Sequence, residues 1–226
     1  MSDTIYVIGS GKTVDYIDPE FFDGKNVIAV NEAAERLGLY NNRVAKLITF
    51  SHYHEETFKL AEKYPLFVFH TPMGDRGFDG EPVVRQRNVV FWNHYPTHFD
   101  FDPSKGWPED GILVGSTSVH GAMHVACRMG ARFIVLCGVD CGFLDGEANQ
   151  AGYQSGNLAS GDVSNWLARW ELHLRLVKQK LEQEYPVKIY SLNPFLNLNL
   201  EGHEWTRPVL SSRLCKVCGM HCADLH

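Results

Sequence analysis

The hydrophobic positions of this chain fall into short runs that each stop at a polar residue. Thr4–Ile8 (TIYVI), Asn26–Val30 (NVIAV) and residues 132–137 (RFIVLC) are continuous apolar segments of strand length, the pattern of strands covered on both faces. Residues 44–50, 66–69 and 187–191 repeat it. Between them the period changes. Residues 33–39 read as a helix, and Val119, Ala122, Met123, Ala126 and Met129 step by three and four along another that Gly130 ends. Trp166, Leu167, Trp170, Leu174, Val177 and Leu181 do the same through a long helix over 164–185 that Pro186 closes. This alternation predicts an α/β fold: a Rossmann-like, mostly parallel sheet with helices on both faces. Over 71–110 the pattern dissolves, apart from one strand-like island at 88–92, and reads as a long loop or lid. Residues 144–162, rich in Gly, Asn, Gln and Ser, read as a second loop over a site. One nucleotide-binding domain over 1–205 and a Cys/His-rich tail over 206–226 are the expected divisions.

The polar residues that end the runs are where ligands sit in such sheets, beyond the carboxyl ends of the strands. Gly9, Ser10 and Gly11 follow the first run, with Lys12 and Thr13 behind them. A P-loop is excluded, because Tyr6 stands where its first glycine belongs. The dinucleotide fingerprint is excluded too, because Val14 stands where its third glycine belongs. A glycine turn that lets a backbone approach a ligand closely remains. Asn31 ends the second run and Ser51 the third. Asn31 suits a nucleobase edge or ribose, or else caps the next helix. Gly115, Ser116 and Thr117 precede the helix of Val119 as a Gly and hydroxyl turn suited to a phosphate or carboxylate. Asp140, after the 132–137 run, is placed to meet a ligand hydroxyl or amine. His120 lies one turn from Ser116, where it serves as a hydrogen-bonding or proton-transfer group or as an interior histidine. His120 and His124 lack the Glu that the zincin pattern requires between them.

Charge and composition narrow the class. A formal charge of -6 without a basic stripe argues against a nucleic-acid binder, and no run of about 18 apolar residues spans a bilayer. With no basic, apolar leader at the start, the expected compartment is the cytoplasm. Arg76, Arg85 and Arg87 are the concentrated positive charge of the loop region, as anion clamps or as solvated surface. Cys127, Cys137 and Cys141 read as reduced core thiols. Cys215, Cys218, Cys222 and His226 form a compact thiolate and imidazole set that suits structural zinc, alternatively completed by a second copy of the chain in a homo-oligomer.

Two stretches, IYVIGSGKTVDYID leading to NVIAVNEAAE, and ILVGSTSVHGAMHVACRMGARFIVLCGVDCGF, resemble the glycosyltransferase family 42 sialyltransferases. Their relatives, the flagellar motility accessory factors and the archaeal 6-hydroxymethyl-dihydropterin diphosphokinase, share the likeness. The resemblance implies a Rossmann-like sheet binding a CMP-sugar and passing the sugar, with inversion and without a metal cofactor, to an acceptor hydroxyl of a small molecule or glycan. By that likeness Gly9, Ser10, Gly11, Asn31 and Ser51 face the nucleotide, and Ser116 and Thr117 take a phosphate or the sugar carboxylate. His173 is the nearest candidate for the base, with His120 behind it. The chain departs from the family at Lys12 and Thr13, where Pro and Ser are usual, and at Ser51, where Asn is usual. It departs again at Cys141, Gly142 and Phe143, where the leaving-group tyrosines follow. The diphosphokinase branch implies Mg²⁺ with Asp140 as a ligand; a catalytically silent nucleotide-binding or assembly protein is the third expectation. For the tail, metal analysis of the purified chain is expected to find about one zinc per chain, lost on Cys215→Ser; equal zinc in both proteins would refute the site.

Overall fold

The computed structural model describes residues 3–41, 43–52, 67–71, 89–94, 111–112, 117–144 and 163–192. Eight strands form one sheet: β1 (Thr4–Ile8), β2 (Asn26–Val30), β3 (Lys46–His52), β4 (Phe67–Thr71), β5 (Val89–His94), β6 (Gly111–Ile112), β7 (Phe133–Cys137) and β8 (Lys188–Ser191). Their order is β6-β5-β4-β3-β2-β1-β7-β8, and every neighbouring pair is parallel. The chain therefore builds outward from β1 to β6, then returns to lay β7 and β8 on the other side of β1. Tyr6 stands opposite Val27 of β2 and Val135 of β7, which fixes β1 between those two strands.

Alternation along the strands separates two cores. Ile5, Val7, Ile28, Val30, Ile48, Phe50, Ile134, Leu136 and Ile189 face helices α2 (Ser118–Arg128) and α3 (Val163–Glu184). Tyr6, Ile8, Val27, Ala29, Val135 and Cys137 face the 3-10 helices Lys12–Tyr16, Pro19–Phe22 and Leu39–Asn41 and the short α1 (Ala33–Arg36). The sheet is thus covered on both faces, which is why its central strands are apolar without alternation.

Several boundaries move from the sequence reading. The island at 88–92 is β5, a full member of the sheet, and β6 extends the edge by two residues, so the 71–110 stretch is not loop throughout. A weakly periodic strand among Gly, Pro and Asp residues gives little local signal; its pairing with β4 does. Ser51 lies inside β3 rather than past its end. The helix expected over 33–39 is one α-turn followed by a 3-10 turn, with Gly38 at φ 63° between them. Helix α2 is buried from Val119 to Cys127 on all sides, not along one stripe, because it lies between β1, β2, β3 and α3. The proposed 206–226 tail, Gly115, Ser116, Arg76, Arg85, Arg87 and the loop over 145–162 lie outside the described residues.

The layer of helices includes a neutral buried histidine. His124 Nε2 is 2.9 Å from the Tyr185 hydroxyl, with the two rings edge to face, and the exposed Arg128 donates Nε–H to the same nitrogen at 3.4 Å. Burial, with the Arg128 charge behind it, pushes His124 down to about 3. Its folded pKa is below the unfolded value, so the unfolded chain binds the extra proton between about pH 3 and 6.5 and stability is complete above that window. Urea unfolding is expected to show stability falling as pH drops below about 6.5, with His124 contributing up to about 1.4 kcal/mol per pH unit. His124→Gln should lose stability at neutral pH but flatten this slope by one histidine's share; an unchanged slope would contradict the assignment.

Candidate functional site

In a sheet of this order the strand sequence reverses at β1, and the tips of β1 and β7 flank the reversal where doubly wound folds open a ligand crevice. Here the two tips close on each other. Gly9 N–H donates to the Cys137 carbonyl at 2.8 Å, and Gly11 N–H to the Gly138 carbonyl at 2.6 Å. Thr13 N–H donates to Asp140 Oδ2 at 2.7 Å, while the Thr13 hydroxyl donates to Oδ1. Thr13 and Asp140 are both buried. The glycines are needed for this contact: a Cβ on Gly9 would lie 2.6 Å from the Gly138 oxygen, and one on Gly11 would lie 2.5 Å from the Asp140 carboxyl carbon. Both oxygens of Asp140 accept from Thr13, and the close approach that Gly9 and Gly11 permit includes that of the β7 loop. Ser10 sits half-buried between them.

The rim continues over β2 and β3. Asn31 adopts a left-handed backbone, φ 54°, a region that Asn tolerates better than most residues. Its N–H donates to the Phe50 carbonyl at 2.9 Å, and its Oδ1 accepts from the Ser51 hydroxyl at 3.0 Å. Ser51 is fully buried and Asn31 half-buried. The role of helix cap falls to Glu32 instead, at the N-cap of α1. With Oδ1 turned to Ser51, the amide end of Asn31 is oriented by the protein before any ligand arrives.

Helix α2 begins at this same edge, since it leads from the tip side of β6 back to the start of β7. Thr117 is its N-cap, extended at φ −143° and ψ 153°, and its hydroxyl makes no cap bond to the helix. The first turn is thus not closed by its own cap side chain. Among the described residues Thr117 alone represents the Gly115, Ser116 and Thr117 turn.

The two candidate bases come together on facing helices. His120 is 1% exposed, and burial, then the charge of His173, drives it to about 3. A base must touch the proton it takes, so interior His120 does not fit that role. His173 is half-buried on α3, and burial, then Arg169, lowers its pKa. Five-residue strands and the eleven-residue α2 each span about 16 Å, whereas the 22 residues of α3 span about 33 Å. Because β8 starts just after α3 ends, α3 is long enough for its first half to extend beyond the length of the strands.

Beyond Asp140, Cys141 occupies the position where the family resemblance expects leaving-group chemistry. It is left-handed at φ 48°, and burial, then Asp140 and Glu171, raises its thiol to about 12 despite Arg175. That thiol stays protonated at neutral pH and is not an activated nucleophile. Phe143 is exposed. Sequence reasoning missed the Thr13 and Asp140 pair, whose signal was present as a hydroxyl and a carboxylate at the tips of two apolar runs.

No family model matches the chain, and no curated protein matches it. Among solved structures, a sialyltransferase from Campylobacter jejuni, in complex with a substrate analogue, cytidine-5'-monophosphate, is similar at 14% identity and a TM-score of 0.34, over 86% of this chain and 82% of that one. A likeness of that degree carries no functional argument.

The clamp between the tips is measurable. Thr13→Val is expected to lower unfolding free energy by about 1–3 kcal/mol, because it strands a buried carboxylate oxygen, and Thr13→Ser to restore most of it. Gly11→Ala should cost at least as much by driving Cβ into the carboxyl group. Chemical denaturation of the three variants decides this: a neutral Thr13→Val would mean that the pair bears no load.

Proposed function

We propose that the chain is a nucleotide-sugar-dependent glycosyltransferase resembling the CMP-sialic acid sialyltransferases. The observation that supports the reading is the Asn31 and Ser51 pair at the carboxyl-end rim of the sheet, the rim on which the Gly9–Gly11 turn also stands; the reading adds the Thr117 start of α2 and His173 of α3 to it. A nucleotide needs an oriented amide for its base or ribose and N–H groups for its phosphate; the acceptor needs a neutral imidazole within reach. The reading assigns those roles to Asn31, to Ser116, Thr117 and the first turn of α2, and to His173. In it, His173 takes the proton of the acceptor hydroxyl as that oxygen attacks the sugar carbon. The bond to the nucleotide phosphate breaks, and the helix N–H groups hold the departing anion.

Asp140 disfavours the magnesium-dependent diphosphokinase alternative. Its carboxylate, the ligand that alternative requires, has both oxygens engaged with Thr13. The silent nucleotide-binding reading is favoured by Cys141, with its protonated thiol at the place of a leaving-group tyrosine.

A thermal-shift panel of CMP, CDP, UDP-sugars, ATP and GTP, each with and without Mg²⁺, separates the readings. CMP at a hundred times its dissociation constant is expected to add about 2.7 kcal/mol without Mg²⁺. His173→Asn should keep CMP binding and abolish CMP release from a CMP-sugar. Stabilisation confined to ATP with Mg²⁺, or silence throughout, would overturn the proposal. CMP binding with no turnover of any CMP-sugar would select the silent binder.

A further inference from the structure

The charge along the strand tips singles out one residue. The described tip segments 9–15, 31–32, 51–52, 117–120 and 138–144 carry three carboxylates, Asp15, Glu32 and Asp140, and a single Lys or Arg, Lys12. Such an edge repels an anion unless its carboxylates are neutralised. Glu32 is paired with Arg36 at 2.8 Å and Asp15 with Lys12 at 3.0 Å, while Asp140 keeps its charge but is buried, with its oxygens accepting from Thr13. The Lys12 side chain is 13% exposed and that of Asp15 27%, so this ion pair is shielded from water more than a surface pair is. Its backbone is fixed on both sides, by Gly11 N–H on Gly138 and by Thr13 on Asp140. On α3 the corresponding cation, Arg175, is turned to Glu171 at 2.7 Å.

We propose that Lys12 is an anion-binding residue of the strand-tip site, the countercharge for the phosphate of its ligand, with Asp15 holding the ammonium in place until that phosphate arrives. The phosphate identity rests on the nucleotide reading given above; the anion site does not. A compact ammonium suits this role because it delivers charge to phosphate oxygens without requiring a fixed fork geometry. The pairing with Asp15 satisfies a shielded ammonium until the phosphate takes its place.

The test uses the full chain and three probes: cytidine, CMP and pyrophosphate, titrated by calorimetry at two salt concentrations. Lys12→Met is expected to weaken CMP and pyrophosphate at least about tenfold, leave cytidine unchanged, and remove most of the salt dependence. Asp15→Asn breaks the ion pair while keeping the cation, so it should bind both anions as tightly as the parent or tighter. Apo melting curves of both variants establish that they fold. If Lys12→Met binds CMP and pyrophosphate like the parent, or Asp15→Asn weakens them as much as Lys12→Met does, the ion pair is structural and the proposal fails. If pyrophosphate binds through Lys12 but neither cytidine nor CMP is retained beyond it, the anion site stands and the nucleotide reading falls. If none of the three binds the parent, both fall.

Discussion

The contact between Thr13 and Asp140 is the constraint on which the candidate site rests. A buried carboxylate is tolerated only where donors replace the water it lost, and here a backbone N–H and a hydroxyl supply them across 127 residues of chain. To bring those donors in, Gly9 and Gly11 must lie against the β7 loop, and Gly138 must turn at φ 60° with Val14 packed beneath it. Cys141, the next residue, then takes a left-handed conformation that a β-carbon makes costly, by about 1–3 kcal/mol. One polar pair thus dictates the shape of both tips.

Around that rim the buried thiols and imidazoles are kept uncharged. Burial raises the thiols of Cys127 and Cys141 to about 12 and holds Cys137 well above its ordinary value. Burial lowers His120 and His124 to about 3. At neutral pH these five groups carry no charge, and acid-base or ionic chemistry falls to groups with some access to water: His173, Lys12, and the charged residues of α3. The same desolvation that accompanies the packing sorts the titratable side chains into those that stay neutral and those with access to water.

Much of the fold was legible because its central strands are buried on both faces. Thr4–Ile8 and Asn26–Val30 were read to the residue, since an apolar run bounded by Asp3, Gly9, Lys25 and Asn31 has sharp ends. Helix α2 and the long α3 were placed within a residue or two for the same reason. The outer strands were not, because β5 and β6 take their identity from a neighbour rather than from their own composition. The site was legible as a set of polar tips, and Asn31 with Ser51 did meet as adjacent strand ends suggest. What each tip does was not. Whether a carboxylate such as Asp140 meets a ligand or a threonine depends on which strands are neighbours, and that order is a property of the whole chain. His120 is similar: its sequence position beside a hydroxyl turn left a proton-transfer role and an interior role open, and packing between the sheet and α3 makes it interior.

The strand order also sets a timetable. β1 is made first, yet its second neighbour, β7, begins more than a hundred residues later, after the whole outward half of the sheet. At about 5–20 residues per second, Thr13 waits roughly 6–25 seconds from its own synthesis until Asp140 is made. During that interval one edge of β1 and its glycine turn have no partner from β7, and a half-sheet must persist with the apolar β1 at an edge. The joint that shapes the finished site is therefore among the late events of folding, and the sheet closes around its oldest strand.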